Sequence, residues 1–131
     1  MIGLDTNIVV RHLVADDAAQ ARRVRDFLAA NCTVQDPGFV NRVVLCEVVW
    51  VLKRLYRYDR GIIADAIAGL LQAAELRIED HEAAVEALAA YRRSQADFAD
   101  CLVGVLNRAN GCRSTVTLDR MAAALPEFQQ L

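Results

Sequence analysis

Nine of the ten residues from Val43 to Leu52 are apolar, and the tenth, in the middle of the run, is Glu47. A segment that is apolar on every side belongs in a core. A lone ionised carboxylate there is costly, so it neutralises, pairs with a base or binds a cation. The nearest cations in sequence are Arg42, Lys53 and Arg54. In a helix Lys53 lies off the face of Glu47 and Arg54 lies two turns on, so the sequence offers no evident local partner. Two readings follow. Glu47 pairs with a distant arginine or sits at a rim, or it is one of several carboxylates that share a site. The valines favour a strand, but the pattern from Arg42 to Tyr56 is too long for one and predicts a helix.

The chain has 131 residues, which predicts a single domain over 1–131 with a proper core. Its formal net charge of −2 gives no bulk attraction for nucleic acid or anionic membrane, although a local basic patch is compatible with that total. The cysteines at 32, 46, 101 and 112 form no C-x-x-C pair and lack zinc-site spacing. Cys46 and Cys101 lie in apolar runs and read as small core residues. A reduced, cytoplasmic setting fits this usage. No basic stretch precedes the short apolar start, and no apolar run reaches the ~18 residues of a membrane helix, so no membrane association is expected.

In chain order, Met1 to Leu4 reads as a buried strand ended by Asp5, with Thr6 or Asn7 capping a helix through Leu13. Asp16 or Asp17 caps a second helix to about Ala30, with Ala21, Val24 and Leu28 inward and Arg22, Arg23 and Arg25 on a solvated face. Pro37-Gly38 is a turn signal, and 39–41 is a short strand. After the Glu47 helix, Asp59 opens a helix on which Ile62, Ile63, Ala66, Ile67, Leu70 and Leu71 recur at helical spacing. Leu76 to Ile78 is a strand. His81 to Arg93 is an amphipathic helix with Val85, Leu88 and Ala89 inward. His12 and His81 have no ligand-spaced partner and read as rim residues.

From Asp97 to Asn110 one helical side carries Phe98, Leu102, Val105 and Leu106. The other carries Asp97, Asp100, Gly104, Asn107 and Arg108. Asp97 and Asp100 have a plain role as first-turn acids favoured by the helix dipole. They also have a functional role if this side faces a cleft, with Gly104 admitting another chain or ligand. Gly111 stops the helix. Ser114 to Leu118 is a β-rich run, and Asp119 follows it as Asp5 follows the first. The end is poorly patterned, with Phe128 and Leu131 available to pack back.

Strands and helices thus alternate, which predicts a three-layer α/β/α domain around a central, mostly parallel sheet. Asp5, Glu47, Asp100 and Asp119 come from four separate elements. Ligands in open α/β sheets bind where the strands end. Carboxylates in mutual contact raise one another's pKa, and a bound cation removes that conflict. Oxygen donors without histidine or cysteine favour Mg²⁺ or Mn²⁺, ions suited to phosphodiester hydrolysis.

The chain resembles the PIN-domain ribonucleases, especially the VapC-like toxins of bacterial toxin–antitoxin pairs. The resemblance rests on I-G-L-D-T-N-I-V-V-R-H-L at 2–13, V-V-L-C-E-V-V-W-V-L at 43–52, A-D-F-A-D-C-L-V at 96–103 and T-V-T-L-D-R at 115–120. Each motif alone is weak; four in order are specific. The resemblance places the family's acidic quartet on Asp5, Glu47, Asp100 and Asp119, as catalytic residues and metal ligands, with Asp119 at the position that varies most. It puts Asp97 in the same D-x-x-D motif as a ligand or a supporting acid, and Thr6 and Thr117 at polar positions beside the site. The role of Asn41 stays open. The resemblance implies a Mg²⁺-dependent endoribonuclease, usually a homodimer, that is held inactive by a cognate antitoxin.

A rival of a different class is a non-catalytic module whose acidic pocket holds a basic peptide or protein. A receiver-type α/β domain fits poorly, because Lys53, the one lysine, is in the wrong region. An aspartyl phosphatase would carry a second acid two residues after the first, where this chain has Asn7.

Overall fold

A computed structural model describes all 131 residues. The chain packs as two compact units, Met1–His81 and Glu82–Leu131. No helix is long and apolar enough to cross a membrane.

The first unit begins with β1 (Ile2–Gly3) and α1 (Thr6–Leu13), followed by α2 (Ala18–Asn31) and β2 (Gly38–Val40). It continues with α3 (Arg42–Arg54), α4 (Arg60–Gln72) and β3 (Leu76–Ile78). The strands form a parallel sheet in the order β1-β2-β3. Ile2 is opposite Gly38, Gly38 opposite Leu76 and Val40 opposite Ile78. The alternation of strands and helices thus yields parallel pairing, as crossover connections require. The expected buried first strand is buried only at its end: Ile2 is exposed, while Leu4 is in the core. Gly38 is the first residue of β2 rather than a turn residue. A Cβ there would lie 2.8 Å from Leu4 Cδ1 and 2.9 Å from Cys32 Sγ, so packing requires the glycine.

α3 packs against α1 and α4. Leu45, Val48 and Leu52 are fully buried, but Val43 is 63% exposed and Trp50 58%. The helix is therefore not enclosed on every side. At ~100° per residue, 43, 47, 50 and 54 stack on one face and 45, 48 and 52 on the opposite one. Nine apolar residues in ten conceal that asymmetry in the sequence. In α2 the expected stripe of Ala21, Val24 and Leu28 is buried and the three arginines are exposed. In α4, Ile63, Ile67 and Leu70 are buried and Ile62 is exposed.

The second unit contains α5 (His81–Arg93, starting at the boundary), α6 (Phe98–Ala109), β4 (Thr115–Thr117), α7 (Arg120–Ala123) and β5 (Phe128–Gln130). The buried face of α5 is Ala84, Ala87, Leu88 and Tyr91, and Val85 and Ala89 are exposed. Leu88 is inward as expected, but small alanines rather than Val85 and Ala89 flank it on the buried face. Tyr91 meets Phe98 of α6 edge-on, with ring centroids 5.9 Å apart. Gly111 has φ of 89° and ends α6, its N–H reaching Arg108 O at 3.0 Å. The poorly patterned end is ordered: β5 pairs in parallel with β4, Thr115 opposite Phe128 and Thr117 opposite Gln130.

Candidate active site

In the first unit, Asp5 occupies the N-cap of α1, in place of Thr6 or Asn7, and its Oδ1 accepts from Thr6 N at 2.9 Å. The helix thus starts one residue earlier than the pattern suggests, because the Asp5 side chain satisfies a first-turn amide itself. Thr6 is buried, and its hydroxyl donates to Glu47 Oε2 at 2.5 Å. That is a short, charge-assisted bond. Asp5 and Glu47 are therefore joined through a single residue that bonds to both, although they lie 42 positions apart. Glu47 is exposed, so water solvates its carboxylate and no distant arginine is needed. Arg42 is engaged elsewhere, with Asp80 Oδ2 at 2.8 Å.

Asn41 is the N-cap of α3, with Oδ1 accepting from Val44 N at 2.9 Å. Its role is to start the helix that carries Glu47. Cys46 is half-buried, and burial pushes its thiol pKa up. Cys101 is buried, and none of the four cysteines forms a disulfide. His81 Nε2 lies 2.7 Å from Leu71 O, and both histidines are exposed. A groove of about 970 Å³ runs between α1, α2 and the end of α3, with Ile8, Phe27 and Leu55 among its apolar lining and Arg11, Arg23 and Asp26 among its charged lining.

In the second unit, Asp97 is the N-cap residue of α6 but makes no side-chain capping bond. Asp100 is at the third helical position, half-buried. Burial pushes its carboxyl pKa up, and the negative charges of Asp97 and Asp119 push it further. These three acids therefore share one electrostatic field. Asp119 is the N-cap of α7, and its Oδ1 accepts from Met121 N at 2.7 Å and Ala122 N at 3.2 Å. Thr117 Oγ1 accepts from Asp119 N at 3.0 Å. Thr117 thus orients the backbone of Asp119.

The expected open side of α6 is only partly open. A Cβ on Gly104 would lie 2.7 Å from Phe128 Cε2 and 3.1 Å from Glu127 Cβ. The glycine admits the chain's own C-terminal segment rather than a ligand. Asn107 Nδ2 donates to Thr115 Oγ1 at 3.0 Å, and Arg108 Nη1 to Glu127 Oε1 at 2.8 Å, while Arg108 also pairs with Glu86. That leaves Asp97 and Asp100 as the acidic end of the helix.

In neither unit do three or more His, Cys, Asp or Glu side chains gather into a ready metal-binding group. The donor chemistry nevertheless suits a hard cation, since the candidate acids present only oxygen. Burial raises Asp100 most and repulsion from Asp97 and Asp119 adds to it; that added repulsion is the kind a divalent ion relieves.

Residues 2–127 match the family model of the PIN domain. The chain is also 24% identical, over 117 residues, to a VapC ribonuclease of Aquifex aeolicus (strain VF5), covering 89% of this chain and 86% of that protein. The four motifs, the parallel α/β elements and a match that runs through both units agree: this chain belongs to the PIN domain family.

Proposed function

We propose that the chain is a Mg²⁺- or Mn²⁺-dependent endoribonuclease, a VapC-type toxin of the cytoplasm that cleaves cellular RNA, works as a homodimer and is neutralised by a cognate antitoxin. The observation that carries this reading is the PIN domain match over 2–127, together with the likeness to a VapC ribonuclease over most of both chains. On this reading both units work as one domain, and Asp5, Glu47, Asp100 and Asp119 are the acids that act in the reaction, with Asp97 in support. A bound divalent ion would supply charge neutralisation at the phosphate and activate water at neutral pH.

The protein's own side chains have definite tasks. Thr6 holds the Glu47 carboxylate in one orientation through its 2.5 Å bond. The Asp119 carboxylate is fixed by two amide donors to one oxygen. Asp97 and Asp119 maintain the negative field around Asp100 that attracts a cation. The groove between α1 and α2, part apolar and part charged, is a place for the antitoxin to lie.

The test is cleavage of a panel of cellular RNAs by purified, antitoxin-free protein, with and without Mg²⁺. Metal-dependent cleavage is expected. Absence of cleavage on every RNA would favour the acidic module that binds a basic peptide. A small antitoxin-like gene directly upstream would support the toxin reading independently.

A further inference from the structure

Trp50 is the chain's single tryptophan, and it is 58% exposed in the middle of α3. An exposed indole gives up burial that a tryptophan in a core helix would otherwise gain. It lies three residues after Glu47, so the two side chains are neighbours on one helical face. Arg54 is exposed on the same face four residues further on. At ~1.5 Å of rise per residue, the indole lies ~4.5 Å along the axis from Glu47, and Arg54 ~6 Å beyond it. This stripe orders an acid, a flat aromatic ring and a cation.

We propose that Trp50 is a stacking platform for an RNA base next to the cleaved phosphate, with Arg54 holding a phosphate further along the strand. The proposal rests on the ribonuclease reading above. Single-stranded nucleic acid is held by aromatic faces under the bases and cations along the backbone, and this face supplies one of each beside Glu47. A dry protein–protein contact fits it less well. It would strip the water from the Glu47 carboxylate between Val43 and Trp50, a desolvation cost that the contact would have to offset. A wet, charged nucleic-acid interface leaves that carboxylate solvated.

Because the chain has one tryptophan, indole fluorescence reports on this position alone. Single-stranded poly(A) or poly(U), added with Ca²⁺ in place of Mg²⁺, should quench it. In Mg²⁺-dependent cleavage of the RNA panel, Trp50→Ala should raise KM roughly ten- to a hundredfold with little change in kcat. Trp50→Phe should retain most of the affinity. Both variants should keep the wild-type thermal midpoint, since the side chain is exposed. A wild type that cleaves RNA while Trp50→Ala has an unchanged KM overturns the proposal. So does wild-type fluorescence that is insensitive to RNA, together with a Trp50→Ala protein that sediments as a monomer where wild type is a dimer. Failure of the wild type to cleave or bind any RNA removes the ribonuclease reading as well, and is recognised without reference to residue 50.

Discussion

The hydroxyl of Thr6 donates to Oε2 of Glu47 at 2.5 Å, and the amide of the same threonine donates to Asp5 at 2.9 Å. One buried residue thus sets the orientation of two candidate catalytic acids on different helices. Thr6→Val keeps the shape and removes the hydroxyl. It should lower stability by about 1–2 kcal/mol, the worth of a hydrogen bond to a charged group at a partly exposed site. Cleavage should fall about tenfold or more, mainly in kcat, because Glu47 loses its fixed geometry. Thr6→Ser should restore most of the rate. Steady-state kinetics and thermal midpoints of the three proteins check this.

Asp100→Asn should reduce Mg²⁺-dependent cleavage by at least about a hundredfold while the protein stays folded. A mere first-turn acid would change stability by at most ~1 kcal/mol and activity hardly at all. RNA cleavage by matched amounts of folded protein separates the two roles.

The same substitution has a pH signature. Burial and the charges of Asp97 and Asp119 raise the folded-state pKa of Asp100, so the folded chain keeps this proton to a higher pH than the unfolded chain. Between the two values stability falls as pH rises. The stability that belongs to protonated Asp100 is present below the unfolded value and is lost once pH passes the folded one. Asparagine carries no such loss. In metal-free buffer, Asp100→Asn should therefore gain on wild type as pH rises through that window, and the gap should close below it. Urea unfolding at a series of pH values measures the difference directly.

Mg²⁺ should raise the thermal midpoint of wild type, since an ion bound only to the folded state stabilises it by mass action. The rise should shrink in Asp100→Asn. Calorimetry with increasing Mg²⁺ tests this without an activity readout, and an identical response in both proteins would remove Asp100 from the ion's ligands.

Two glycines should respond in opposite senses. Gly104→Ala would drive a methyl group into Phe128 and Glu127, and overpacking of this kind costs about 1–3 kcal/mol, outweighing the ~1 kcal/mol gain in helix propensity. Gly69 in α4 has open space around it, with nothing within 4 Å of where a Cβ would lie. Gly69→Ala should therefore stabilise by about 0.5–1 kcal/mol. Chemical denaturation of both variants would show the opposite signs.

The order and kind of most elements are legible in the residues themselves. Periodicity and capping residues are local signals, and they locate α2, α3, α4, α5 and α6 to within a few residues. The same local signals bring out Asp5, Glu47, Asp100 and Asp119 as acids following strands or lying in apolar helices. Exposure, by contrast, depends on which face a neighbour covers. That is why the pattern of α3 implies enclosure although Val43, Glu47 and Trp50 lie on an open side, and why α5 buries Ala84, Ala87 and Ala90 beside Leu88 and Tyr91 while Val85 stays exposed. Short β5 carries too few residues for a period of two to register, so only its pairing with β4 reveals it. The bond from Thr6 to Glu47 and the filling of the space beside Gly104 by Phe128 join residues 41 and 24 positions apart. No local pattern encodes such contacts; they arise when packed elements bring distant side chains within bonding distance, and the three-dimensional packing is what fixes them.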